Sequence, residues 1–195
     1  KLPMIASAPP ALSHFFAYFC MQHADAEFLV DGDTRLTFGQ SYAAARKVAA
    51  ALIAGHGIAK GDRVGLFLPN VPIYASAYYG AMMAGAVVVN FSPLYSVEEL
   101  SWQVGDSGTR VLVTLDVPEL YKTAAKVLDG SALETLVVGS LAEMLPWYKG
   151  LALKLLKRSQ IADVAYGTAV KSWADMTPDR PFTPVEVTPA DLALL

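Results

Sequence analysis

The sequence is short of cysteine, of histidine and of charge. Cys20 is the only cysteine in 195 residues, so no internal disulfide can form. With no signal-like segment opening the chain, that usage leads us to expect a cytoplasmic protein. The three histidines, His14, His23 and His56, show no spacing with one another or with Cys20 that would gather metal ligands, so no metal-binding residue is expected. Charged residues amount to 17% of the chain and the formal net charge is −3. A chain with that balance has no global attraction for nucleic acid, which is excluded as an expected partner. No apolar run approaches the roughly 20 residues that spanning a bilayer requires. Two catalytic signatures are also missing. There is no G-x-S-x-G to hold a serine nucleophile on a strand-to-helix turn, and no G-x-G-x-x-G to form a dinucleotide loop.

Apolar surface is what the chain has in plenty. Hydrophobic residues make up 54% of it and the mean hydropathy is +0.37, which is rich for a soluble domain. The length suits one core. Such a composition suggests surface that is normally covered, with the remainder of a longer protein as one candidate cover. The chain starts at Lys1 and stops at Leu195 within an apolar run that has just begun, so it is expected to be a piece of a larger protein.

Residues 61–95 organise the rest. The apolar run 64–68 stops at Pro69-Asn70, a small-residue helical run covers 73–84, and Gly85 separates it from a second apolar run that begins at Ala86. This is a β-α-β unit. Its strands are continuous in Val, Leu and Phe, the pattern of strands buried on both faces of a parallel sheet. Downstream, a helix opens at Ser96 with Glu98 and Glu99 in its first turn. A strand spans 110–115, Pro118 starts another helix, and a strand spans 133–138. Upstream, 11–23 has an apolar helical stripe, and 28–37 reads as a hairpin turning on Gly32. Thr37 with Gln40 forms a capping box for a helix that ends at Gly55 or Gly57. The expected fold is α/β: a doubly wound, mainly parallel sheet flanked by helices, with an N-terminal β-hairpin. Residues 1–10 are expected as an extended arm, 11–140 as the α/β core, 141–175 as an amphipathic helical segment and 176–190 as a connector rich in proline. Phe182, Val185 and Val187 are placed to tack that connector onto the body.

Ligands in such sheets bind outside the carboxyl ends of the strands, where Asn70, Asn90 and the turn Ser92-Pro93-Leu94-Tyr95 fall. Local roles weigh more for both asparagines, a helix cap for Asn70 and a turn former for Asn90.

The segment 145–158 is unlike the rest. Lys149, Lys154, Lys157 and Arg158 give four positive charges, with no acid between Lys149 and Arg158. Leu151 and Leu155 lie on the apolar side, and Trp147 and Tyr148 are suited to a membrane interface. Trp147, Tyr148, Leu151, Lys154, Leu155, Lys157 and Arg158 are therefore the candidate contacts with an anionic membrane surface, which would place the protein peripherally at the inner face of the membrane. The alternative is an ordinary surface helix whose leucines pack on the sheet and whose lysines are solvated. The two differ in what the leucines touch.

One resemblance goes beyond these readings. The run "GDRVGLFLPN…YYGAMMAGAVVVNFSPLYS", with "LTFGQ" before it and "DSGTRVLVT" after it, resembles the N-terminal part of acyl-CoA synthetases. These are adenylate-forming enzymes, and the resemblance is nearest to the long-chain fatty-acid ligases. It covers about 26–114 and resumes at "TPADLALL". It implies ATP, Mg2+ and coenzyme A as cofactors of an intact enzyme that acts on a fatty acid. It also implies that the phosphate loop follows a segment like the last one. No catalytic or cofactor-binding residue of the family maps onto 1–195, so this stretch alone is expected to be inactive, with the remainder of its own chain as its partner. The competing reading is a self-contained α/β module that binds a small ligand or a protein. A Gly/Ser/Thr-rich loop encoded beyond codon 195 separates the two.

Overall fold

The computed structural model describes residues 11–177 and 181–195. The expected arm at 1–10 lies outside the described residues, as does Pro178 of the connector. Helix α1 (Leu12–Gln22) leads into a hairpin of β1 (Glu27–Asp31) and β2 (Thr34–Thr37), then α2 (Phe38–His56). The hairpin turns through Gly32, whose φ of +55° lies in the left-handed region that glycine enters without a Cβ penalty. Thr37 caps α2 as the spacing to Gln40 predicts. Its hydroxyl accepts from the Gln40 amide (3.2 Å), and the Gln40 side chain accepts from the Thr37 amide (2.9 Å).

The β-α-β unit forms from β3 (Arg63–Leu66), α3 (Pro72–Met83) and β4 (Val87–Asn90). Next come α4 (Val97–Ser107), opened by a Ser96–Glu99 capping box, β5 (Thr109–Leu115), α5 (Pro118–Gly130) with proline in its first turn, and β6 (Thr135–Gly139). A short strand, β7 (Val170–Ser172), completes a five-stranded parallel sheet in the order β4-β3-β5-β6-β7. The chain steps from β3 to β4 in one direction and from β4 back across β3 to β5 in the other. Right-handed crossovers therefore put α3 on one face of the sheet and α4 on the other. Val64, Leu66, Leu112, Val113, Leu136 and Val137 are all buried, which is why these strands carry apolar residues on both faces.

Packing between α2 and α3 depends on small residues. Ala45, Val48 and Ala49 of α2 are buried with Ala77, Gly80 and Ala81 of α3, and a Cβ at Gly80 would stand 2.7 Å from that of Val48. Aromatic rings close the outer side of this pair, with Phe16 of α1 stacked on Tyr79 at 3.6 Å between centroids. The connector is tacked down at Phe182, whose ring lies 5.8 Å from the Arg46 guanidinium carbon, and by an ion pair of Lys60 with Asp191 (2.7 Å). The last residues run beside β4, where Leu194 bridges Val88 in parallel.

Two features differ from the sequence reading. The amphipathic stretch is not one helix, because it divides into α6 (Leu141–Met144) and α7 (Trp147–Leu156). Pro146 sits between them, and Leu145 before it is extended (φ −91°, ψ 156°), as a residue preceding proline prefers. The strand β7 is the other difference, a three-residue edge strand within the expected helical segment. Apolar exposure also lies off the sheet, at Trp102 of α4, Leu94 in a turn and the outer side of α7.

Candidate functional site

Reversal of strand order between β3 and β5 makes a crevice outside their carboxyl ends, which is where open α/β sheets take ligands. The β3 end continues as Phe67-Leu68-Pro69-Asn70. The Phe67 amide donates to Val113 O (2.9 Å), and the buried Thr114 hydroxyl donates to Phe67 O (3.2 Å), so this rim is fixed from β5. Asp116 follows directly on β5 and is buried. Its carboxylate accepts from the Leu141 amide (2.7 Å), its own amide donates to Gly139 O (2.8 Å), and its carbonyl accepts from the Ala162 amide (2.6 Å). One aspartate thus joins the ends of β5 and β6 to the chain leaving α7. Sequence reasoning missed it. Its signal is an acid set directly between an apolar strand and a Val-Pro helix start.

The structure separates the two asparagines. Asn70 is exposed and does not cap α3, whose N-cap is Val71, so the expected capping role is corrected. Proline at the first position of α3 sets the helix entry instead. Asn90 is more than a turn former, because its Oδ1 accepts from the Tyr74 hydroxyl (2.9 Å) across the β-α-β unit. In the turn that follows, the Ser92 carbonyl accepts from the Tyr95 amide (3.1 Å), and Leu94 points outward.

Between the hairpin and α3 lies an open hollow of about 340 Å³, bounded by Val30 and Asp31 on one side and by Asn70, Val71 and Tyr74 on the other. It does not fit a nucleotide phosphate. Asp31 is the charged residue that lines it, and a carboxylate repels phosphate. The β3–α3 connection has no glycine, and Pro72 removes an amide donor from the helix start. For Mg2+, the described residues contain no group of three His, Cys, Asp or Glu positioned to hold a metal ion.

The candidate membrane contacts are brought together. Trp147, Tyr148, Leu151, Lys154 and Leu155 are exposed on α7, and Lys157 and Arg158 follow its end, also exposed. Lys149 leans the other way and pairs with Asp33 of the hairpin, which holds the Asp33 carboxyl below its usual range. No helix among the described residues is long and apolar enough to cross a membrane.

This geometry defines a doubly wound α/β unit with a crevice outside the carboxyl ends of β3 and β5. The profile of the AMP-binding enzyme family matches residues 16–195, and the chain belongs to that family. Among curated relatives it is 30% identical over 194 residues to a long-chain-fatty-acid–CoA ligase of Escherichia coli, covering 95% of this chain and 34% of the relative. It is 35% identical over 127 residues to a ligase of the same name from Bacillus subtilis, covering 65% of this chain and 22% of the relative. The chain thus spans about a third or less of these relatives. A solved structure of coronafacic acid ligase from Pectobacterium brasiliense superposes on 93% of this chain and 32% of its own, with a TM-score of 0.73 and 16% identity. At that identity the likeness bears on the fold alone.

Proposed function

We propose that the intact protein is a fatty-acid–CoA ligase and that residues 1–195 frame the first part of its large domain. The observation that carries this reading is the alignment over 95% of the chain to a relative bearing that name. In the proposed reaction a fatty-acid carboxylate displaces pyrophosphate from ATP to give an acyl-adenylate, and the thiol of coenzyme A then displaces AMP. ATP and coenzyme A are the proposed co-substrates, Mg2+ the proposed metal, a fatty acid the proposed substrate and the cytoplasm the proposed location.

The described residues do not fit the triphosphate or its metal, so no step is assigned to them. Their proposed part is positional. They fix the β3 and β5 rims of the crevice through Thr114 and Asp116, and they start a strand beside β4 at Leu194. Incubating the intact protein with ATP, Mg2+, coenzyme A and fatty acids of graded length tests this. Acyl-CoA and AMP in equal amounts are the expected products. Failure to form a thioester with any fatty acid would overturn the reading.

A further inference from the structure

On a helix that packs against a core, apolar side chains face inward and charged ones outward. Helix α7 departs from this, leaving most of its apolar side chains exposed. Its contacts inward are made by Gly150 and Leu153, and a Cβ at Gly150 would lie 2.3 Å from Ala142 O, so α7 rests on α6 by its backbone. Trp147, Leu151 and Leu155, spaced by four and hence on one ridge, point outward at 80%, 50% and 71% exposure. Leu156 beside them is 83% exposed.

Exposed charge lies close by, with Lys154 next to this ridge in helical projection and Lys157 and Arg158 just past the helix end. Lys154, Lys157 and Arg158 form no ion pair among the described residues, whereas Lys149, turned toward the hairpin, is neutralised by Asp33. From 141 to 162 the chain has four cations and one acid, Glu143, for a net +3, while the whole chain is −3. Glu143 borders the groove between α6 and α7, beside Trp147 and Lys154. An apolar ridge rimmed by uncompensated cations, with Trp147 and Tyr148 at one end, matches a surface that is apolar within and anionic at its rim.

We infer that α7 docks the protein on an anionic lipid surface, with Leu151 and Leu155 entering the acyl boundary and Lys154, Lys157 and Arg158 facing the headgroups. The inference rests on the geometry of α7 and not on the ligase reading, so vesicle binding and catalysis are read separately. The remainder of the same chain is the competing occupant of this face.

Flotation of the intact protein with vesicles of phosphatidylglycerol and phosphatidylcholine, and with phosphatidylcholine alone, tests it. Binding is expected to the anionic vesicles, weakening as salt is raised. Reversing three cations in the K154E/K157E/R158E variant is expected to lower the partition coefficient by about a hundredfold or more. L151S/L155S is expected to abolish binding with the cations intact. Both changes are at exposed positions, and unchanged circular dichroism confirms that the variants fold. The Trp147 emission, taken as the difference from W147F, is expected to shift to the blue on vesicles and to be quenched by acrylamide without them. Equal binding by parent and triple variant, equal binding to neutral vesicles, or a Trp147 already shielded in the intact protein without lipid would each overturn the inference.

Discussion

Gly80 and Gly105 both lie inside helices, and replacing each by alanine gives opposite results if α2 and α3 approach as described. At Gly105 of α4 a new Cβ meets nothing within 4 Å. The substitution then gains only helix propensity, about 0.5–1 kcal/mol of stability. At Gly80 the same Cβ would lie 2.7 Å from both Cβ and Cγ1 of Val48 and 2.9 Å from Ala45 O. Val48 is β-branched and stiff, and Ala45 O is backbone, so the helices must move apart. Overpacking of this kind costs about 1–3 kcal/mol, which outweighs the same propensity gain and leaves a net loss of about 1 kcal/mol. With a urea slope of about 2.5 kcal/mol/M, Gly80→Ala lowers the unfolding midpoint by about 0.4 M, and the two variants differ by about 0.7 M. Equilibrium urea unfolding followed by far-ultraviolet circular dichroism measures both. If Gly80→Ala stabilises as much as Gly105→Ala, the α2–α3 contact is not the one described.

Thr37→Ala removes the capping box of α2 and is expected to cost about 1 kcal/mol, while Thr37→Ser keeps most of it; thermal unfolding of the pair checks this. The Asp191 carboxyl is held down to about 2, first by Lys60 and then by the Thr188 amide. A lowered carboxyl contributes stability that is present above its ordinary 3.8 and is lost as pH falls through about 2. Carbon NMR titration should find that midpoint, and Lys60→Ala should raise it; a midpoint near 3.8 in the parent would contradict the ion pair. Burial pushes the Cys20 thiol up to about 11. At pH 8 only about a thousandth is thiolate, so iodoacetamide should label Cys20 slowly in the folded protein and rapidly in urea, as mass spectrometry would show.

What could be read from the sequence was what local chemistry decides. The Thr37–Gln40 box, Ser96 with acids in the first turn of α4, the proline opening α5 and the turn glycines Gly32 and Gly57 each act within a few residues, and all appear where their spacing places them. Continuous apolar strands likewise marked a sheet buried on both faces. Long-range partners were not legible. Nothing near Asn90 announces that Tyr74, sixteen residues earlier, donates to it, and Asp116 gains its role from amides at Leu141 and Gly139. β7 escaped because three half-buried residues show no period. Helical periodicity in 142–161 identified an apolar side but could not say which way it faces. That depends on Pro146 breaking the stretch and on Gly150 letting α7 lie against α6.

Under the proposed function, an intact enzyme adenylates a fatty acid on a frame that residues 1–195 supply without catalytic groups. ATP–pyrophosphate exchange in the absence of coenzyme A isolates that half-reaction. The intact protein is predicted to exchange label only when a fatty acid is present, and residues 1–195 alone are predicted to give none above background. Exchange by residues 1–195 alone, or none by the intact protein with any fatty acid, would contradict the account.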